Sequence, residues 1–404
     1  MKLLFLADGR SPIALNWIRH FAEGGHAVHL ASPYPCALDF PLASLTVLPV
    51  AFSRLTGEAG GGRAAPGSTH TPKKGVRTLL GRVITPQVAA ALRHWLVPLS
   101  LPRAARVFQN LVLQVQPDLV HAMRIPYEGM TAALGTEGLD VPLLVSVWGN
   151  DFTLHAGSTP LMRRLTRRTL ARTDALHADC RRDVRLAHAW GFPAARPTLV
   201  VPGAGGIQTD LFCPPTQEPG PVVVNPRGLR AYARTDTFFQ AIPRVLEKFP
   251  QARFVCPAMQ GAAEAGHWVR KLGLAQAVSL LPQQTRPQMA DLFRSAQVVT
   301  SITTHDGTPN TLLEALACGC FPIAGDIESL REWITPGVNG LLVPPDDPDA
   351  LAEAILRALD DAALRAAARQ HNQALIRERA AYGAGMRRAE TFYEAFVTPS
   401  GVTA

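Results

Sequence analysis

Asp306 and Glu314 stand with seven residues between them, inside the stretch Thr303-Thr304-His305-Asp306-Gly307-Thr308-Pro309-Asn310-Thr311-Leu312-Leu313-Glu314-Ala315-Leu316-Ala317-Cys318-Gly319. An apolar strand at 298–301 leads into it. Thr308 is placed to cap a helix whose first position is Pro309, and Gly319 is placed to end that helix. A helix N-terminus at the C-terminal edge of a parallel sheet is an anion site, because its first amide N–H groups lack intrahelical partners and the peptide dipoles add up there. Gly307 lets backbone amides come close to a phosphate. Asp306 in the loop and Glu314 in the helix can then accept hydroxyl hydrogen bonds on either side of that phosphate. A diphosphate with diols on both sides is a sugar nucleotide.

The elements that must hold this segment follow from the hydrophobic pattern. The first half reads as strands at 3–7, 27–31, 45–50, 119–122, 143–148, 175–178 and 198–201, with helices at 12–24, 107–115, 129–134 and 160–172. The second half reads as strands at 222–225, 253–257, 278–281, 298–301, 321–324 and 340–343, with helices at 235–248, 262–272, 286–295, 309–318, 348–359 and 362–379. Such alternation predicts parallel sheets covered by helices on both faces. Residues 53–76, rich in Gly, Pro and basic side chains, are expected as a mobile loop, and the Gly/Pro-rich run 202–221 as a hinge. The expected fold is therefore α/β, with two doubly wound, Rossmann-like domains facing across a cleft. They take residues 1–205 and 218–384, and a helical stretch in 385–404 returns to the first.

Composition agrees with two globular domains. The chain has 404 residues, 47% of them hydrophobic and 18% charged, so each half can bury its own core. The charge is uneven. Residues 1–205 hold 22 Lys and Arg against 12 Asp and Glu, whereas 206–404 hold 18 against 20. The first half is thus expected to meet something anionic. Arg163, Arg164, Arg167, Arg168 and Arg172 fall in one helix, which reads either as a solvated face or as a contact with anionic lipid or a phosphate-bearing lipid acceptor. No aromatic-interleaved basic surface suggests nucleic acid.

Cys36, Cys180, Cys213, Cys256, Cys318 and Cys320 show neither CxxC nor zinc-ligand spacing, as expected of packing thiols in a reducing cytoplasm. Asp8 ends the apolar run 3–7 at once, so that run reads as a strand rather than a secretory segment. No run approaches the roughly 18 residues that span a bilayer. The expected location is cytoplasmic, at most peripheral on the membrane's cytoplasmic face. Asp8-Gly9-Arg10-Ser11 occupies the first strand–helix turn in place of GxGxxG, and GxxxxGK[ST] is missing, which disfavours a dinucleotide dehydrogenase and P-loop phosphoryl transfer.

With these residues in view, the chain resembles glycosyltransferase family 4, which has the GT-B fold. The match is carried by the two spaced carboxylates, by Glu314-Ala315-Leu316-Ala317-Cys318-Gly319-Cys320-Phe321-Pro322, and by Glu332-Trp333-Ile334-Thr335-Pro336-Gly337-Val338-Asn339-Gly340. Weaker likenesses are Pro117–Ala122, the run from Val201 to Phe212, and Val224-Asn225-Pro226-Arg227-Gly228-Leu229-Arg230. The resemblance spans nearly the whole chain and is most specific in its C-terminal part.

It implies that Glu314 binds the donor ribose, that Asp306 binds sugar hydroxyls, and that Gly307, Thr308, Asn310 and Thr311 line sugar and diphosphate. Arg227 would neutralise the diphosphate as a bidentate fork. Three departures stand out. Asp306 replaces a glutamate. The usual lysine after the arginine is missing, so Arg234 or Arg230 would supply the second cation. Trp148 stands where a histidine is common, so Asp151 or His121 would make the acceptor contact; His121 reads equally as a core histidine.

The implied activity is retaining, metal-independent transfer from a UDP- or GDP-sugar to a glycan or lipid-linked acceptor, without a cofactor. The leaving phosphate would take the acceptor's proton. Asp346-Asp347 and Asp360-Asp361 read as solvated caps beside helix starts rather than a metal-binding DxD. Two rival readings are a sugar-nucleotide epimerase of the same fold and a non-catalytic sugar-nucleotide-binding protein.

Overall fold

The computed structural model describes residues 1–50, 86–230 and 232–397. The basic loop expected at 53–76 lies outside the described residues. The chain divides into two compact units. The first takes Met1–His177, Val184–Leu199 and Phe392–Ala404, and the second Ala178–Asp183 and Val200–Thr391.

The first unit is built on a seven-stranded sheet ordered β3-β2-β1-β4-β5-β6-β7. Its strands are β1 (Lys2–Leu6), β2 (Ala27–Ser32), β3 (Ser44–Val47), β4 (Leu119–Ala122), β5 (Leu143–Val147), β6 (Ala175–Ala178) and β7 (Thr198–Val200). Leu3 of β1 pairs in parallel with Val28 of β2 on one side and Leu119 of β4 on the other. β4 and β5 are buried along their whole length, as strands covered on both faces must be. The helices are α1 (Pro12–Glu23), α2 (Pro86–Val115), α3 (Met130–Gly135), α4 (Pro160–Arg172) and α5 (Arg181–Trp190).

Two of these helices depart from the sequence reading. α2 begins at residue 86 rather than 107 and carries Pro98 and Pro102 inside it. Proline inside a helix removes a hydrogen bond and favours a kink, yet packing of Val97, Leu101, Ala104 and Phe108 into the core accompanies the helix through both. α5 escaped notice because its ten residues are mostly charged or small.

The second unit holds a six-stranded sheet ordered β10-β9-β8-β11-β12-β13. These are β8 (Val222–Val224), β9 (Arg253–Cys256), β10 (Val278–Leu280), β11 (Val298–Ser301), β12 (Phe321–Gly325) and β13 (Leu341–Val343). Helices α6 (Thr235–Lys248), α7 (Ala263–Lys271), α8 (Arg286–Arg294), α9 (Asn310–Ala317), α10 (Pro348–Asp360), α11 (Ala362–Arg379) and α12 (Tyr382–Val397) complete it. Successive β11 residues feed opposite faces: Val298 joins Phe238, Phe254 and Ile355, while Val299 joins Leu312, Leu316 and Phe293.

The run expected as a hinge is fastened within this unit. The Ile207 N–H donates to the Ala380 carbonyl at 2.7 Å and the Tyr382 N–H to the Ile207 carbonyl at 2.9 Å. Gly206 sits at φ +121°, and a Cβ there would meet the Ala380 carbonyl oxygen at 2.4 Å. Glycine there permits close backbone contact, and the chain changes unit between Leu199 and Val200. α12 passes from the second unit to the first at Phe392. Among the described residues no helix is long and apolar enough to cross a membrane.

Candidate functional site

β8 and β11 are neighbours in the second sheet, and the loops leaving their C-terminal ends bring Arg227 to Asp306. The Arg227 guanidinium donates through Nη2 to Asp306 Oδ2, and its Nη1 lies 3.5 Å from Thr311 Oγ1. The pair is largely covered, with 9% and 14% of the two side chains exposed. The other Asp306 oxygen accepts from the Gly307 N–H at 3.1 Å. On the same loops lie buried polar atoms without a partner among the described residues: Arg227 Nε, Ser301 Oγ, Thr303 Oγ1 and Asn310 Oδ1. Each such atom costs about 1–3 kcal/mol if nothing satisfies it, and four of them on the β8 and β11 loops and the start of α9 leave hydrogen-bonding capacity that a polar ligand or water can take up.

α9 starts one residue later than expected, at Asn310, with Pro309 before it. Thr308 is not its cap. The Thr308 hydroxyl instead donates to the Asp179 carbonyl at 2.5 Å and accepts from Trp333 Nε1 at 3.1 Å. A Cβ at Gly307 would meet the Asp179 carboxylate at 2.4 Å, so glycine is required there by that side chain. Burial and the neighbouring Asp183 carboxylate push Asp179 well above the usual carboxylate range. Arg182 pairs with Asp183 and donates to the Asp306 carbonyl, which also accepts from Ser329 Oγ at 2.7 Å. The loop 306–308 is thus clamped from several sides.

Glu314 lies on α9 with 13% of its side chain exposed, and its nearest cation is Arg286, at 3.7 Å. Burial raises its carboxyl to about 7, with Arg286 opposing. Arg286 is held over the Phe212 ring and on Gln208 Oε1. Sequence reasoning missed Arg286, whose only signal was its place at a helix start. The candidate second cations are engaged locally: Arg234 makes a two-point contact with Asp236 at 2.8 and 2.9 Å, and Arg230 donates to the Tyr232 hydroxyl at 2.8 Å. The backbone of Arg234 nevertheless runs beside β11, its N–H donating to the Ile302 carbonyl.

In the first unit, the two expected acceptor contacts turn out to be internal. His121 on β4 is 1% exposed. Its Nδ1 meets the Tyr393 hydroxyl and its Nε2 meets Ser146 Oγ at 2.7 Å, which in turn meets His177 Nδ1 at 2.8 Å. Trp17 Nε1 donates to the same tyrosine at 2.9 Å. Burial, with His177 close by, holds His121 well below the usual histidine range and keeps it neutral. It is a core histidine joining the last helix to the sheet.

Asp151 is fully buried and accepts from Arg124 Nε at 2.9 Å, the Ile125 N–H at 3.1 Å and the Trp148 N–H at 3.3 Å. It ties the loops after β4 and β5 together, and its carboxylate is already committed. Its partner Arg124 keeps 35% of its side chain exposed, and on the loop after β5 the buried Trp148 Nε1 and Asn150 Oδ1 have no partner among the described residues.

Residues 9–203 match the family described as glycosyl transferase 4-like domain, and residues 220–361 match glycosyl transferases group 1. Among curated relatives, the D-inositol 3-phosphate glycosyltransferase of Kribbella flavida is 27% identical over 200 residues, 45% of this chain and 46% of that protein. The exopolysaccharide phosphotransferase of Streptomyces coelicolor is 35% identical over 161 residues, 38% of this chain and 16% of that protein. The chain spans less than half the length of these relatives.

Two solved structures cover nearly all of it. Anabaena Alr3699/HepE in complex with UDP aligns with a TM-score of 0.71 at 15% identity, over 98% of this chain and 100% of that one. Sucrose-phosphate synthase of Thermosynechococcus elongatus aligns with a TM-score of 0.72 at 16% identity, over 98% and 99%. The structural likeness shows the fold, and the two family matches follow one another along the two Rossmann-like units. The chain belongs to the group 1 glycosyltransferases of the GT-B fold, glycosyltransferase family 4.

Proposed function

We propose that this protein is a glycosyltransferase that takes a sugar from a nucleoside diphosphate sugar bound at the Arg227–Asp306–α9 site. The observation that carries the reading is the set of buried, unpartnered polar atoms on the same loops as the Arg227–Asp306 pair. A diphosphate at the start of α9 would find the helix amides and the Arg227 guanidinium, and a sugar hydroxyl would find Asp306. Glu314 would accept from the ribose hydroxyls, its carboxyl made costly to ionise by burial until those donors arrive.

The chemistry proposed is retaining. Arg227 holds the Asp306 carboxylate, which leaves it a hydroxyl acceptor rather than a free nucleophile. The departing diphosphate, stabilised by Arg227 and the α9 amides, takes the proton of the attacking hydroxyl. Charge neutralisation by these groups makes the reaction independent of a divalent metal in this reading. Uridine is the proposed base, supported by neighbours of the same fold crystallised with UDP and UDP-glucose. The proposed acceptor is a glycan or lipid-linked glycan held by the first unit, with the enzyme peripheral on a membrane.

Calorimetry with UDP- and GDP-sugars, with and without EDTA, tests this on wild type and Glu314→Ala. One nucleotide should bind equally well in EDTA and fail on the variant. No binding of any sugar nucleotide to wild type would end the donor-site assignment.

A further inference from the structure

One face of the first unit has no part in the site described above. α2 packs against α4, and the His94 ring of α2 stands 5.1 Å from His155 in the turn Asp151–Ala156. While Val97, Leu101 and Phe108 point into the core, Trp95 and Leu99 are 57% and 67% exposed, and Leu96 is exposed between them. Trp95 and Leu99 are four residues apart and share one ridge. Leu154, next to His155 in the turn, is exposed as well. Neither α2 nor α4 contains an Asp or Glu.

Just past the turn, a cavity of about 460 Å³ opens at the start of α4, lined by residues 157–160 and by Arg163, Arg164 and Arg167. Thr159 caps α4, its Oγ1 accepting from the Met162 N–H at 3.1 Å. Arg163 and Arg164 make no ion pair among the described residues. Guanidinium groups near a helix N-terminus oppose its dipole, which favours anions there. Nothing in the first turn offsets them, since it holds no acid. The dipole thus weakly opposes Arg163, at the end of the first turn, and an anion from outside would be favoured there.

An outward ridge of Trp and Leu on the helix packed against α4, whose Arg163 and Arg164 have no acidic partner among the described residues, is what a surface lying at the headgroup level of a bilayer needs. The apolar side chains enter the acyl boundary and the arginines meet lipid phosphates. A soluble phosphate would use the arginines but leaves the ridge unexplained.

We infer that this face, the Trp95–Leu99 ridge with Leu154 and the arginine cavity of α4, docks on an anionic lipid bilayer. The inference rests on the peripheral-membrane reading above and gives it a surface, with arguments drawn from the first unit alone.

Co-sedimentation of the full chain with vesicles tests it. Wild type should bind phosphatidylglycerol-containing vesicles, in a salt-sensitive way, and not pure phosphatidylcholine. At roughly 1 kcal/mol per arginine near such a surface, R163Q/R164Q/R167Q should weaken binding on the order of a hundredfold. Trp95→Ser with Leu99→Ser should weaken it about tenfold or more, through lost apolar burial. Sugar-nucleotide calorimetry and circular dichroism on the same variants should be unchanged, which separates loss of docking from loss of fold.

Equal binding to both lipids, no vesicle binding, or a triple variant that binds like wild type would overturn the inference. Saturable binding of inorganic phosphate without vesicle binding would also overturn it, in favour of a small-anion site. Vesicle binding with no sugar-nucleotide binding would refute the donor reading while leaving this one standing.

Discussion

Two sets of polar side chains near the C-terminal ends of the strands, one in each unit, differ in how they are satisfied, although in the first unit Trp148 Nε1 and Asn150 Oδ1 also lack a partner among the described residues. In the first, Asp151 and His121 have every group engaged: one knits two loops, the other links β4, β5 and the last helix. In the second, Arg227, Ser301, Thr303 and Asn310 keep buried atoms unpartnered, and Glu314 is covered without a hydrogen-bonded cation. A satisfied buried polar group stabilises the fold, whereas an unsatisfied one burdens it and is retained where a ligand completes it. The contrast sets residues that hold the scaffold against those proposed to meet substrate, though all were legible as polar groups near strand ends.

The contrast can be broken first at Arg227. Arg227→Met should lower kcat/KM by about a thousandfold, or ~4 kcal/mol of transition-state stabilisation, with a smaller loss of stability, on the order of 1–3 kcal/mol, from the Asp306 carboxylate left without its cation. Steady-state kinetics beside the melt checks both halves, and a large loss of stability with modest kinetic change would move Arg227 to the scaffold side.

Asp151→Ala should do the reverse. Two backbone N–H groups and a partly buried guanidinium lose their acceptor, at a cost of about 3 kcal/mol in urea unfolding. Donor binding per folded molecule should persist. Loss of donor affinity in a well-folded Asp151→Ala would erase the distinction between the two regions.

The smallest effect sharpens the comparison through pH. The Glu314 carboxyl is raised to about 7 in the folded chain by burial. Its folded pKa exceeds its unfolded value, so the fold binds the proton more tightly and loses stability as pH rises from the ordinary glutamate range to about 7. Glu314→Gln should therefore be the more stable protein at pH 8, on the order of 1–3 kcal/mol, and match wild type below pH 4. Denaturation midpoints at the two pH values measure this. A variant less stable than wild type at pH 8 would show that Glu314 is satisfied by the protein itself.

Much of this molecule was legible in local pattern. Strand periodicity marks both parallel sheets because their buried strands are continuous apolar runs, and Gly319 marks the end of α9 because only that residue accepts φ +88° without strain. The spaced carboxylates and Arg227 pointed to the candidate donor site. α2 was legible only in its last third, since its prolines are paid for by packing that no window of sequence displays.

What the sequence by itself determined is the class of fold, the family, and the segment that carries the candidate chemistry. These depend on residue types at short spacing. Only the tertiary structure decided which polar groups are free to act. It brought Asp179 onto Gly307 and took Thr308 out of its expected cap. It turned His121 inward toward Tyr393, 272 residues along the chain. It also set Trp95 and Leu99 outward beside the arginines of α4. Whether a side chain is satisfied depends on partners that are far away in sequence, and those are settled by how helices and strands pack.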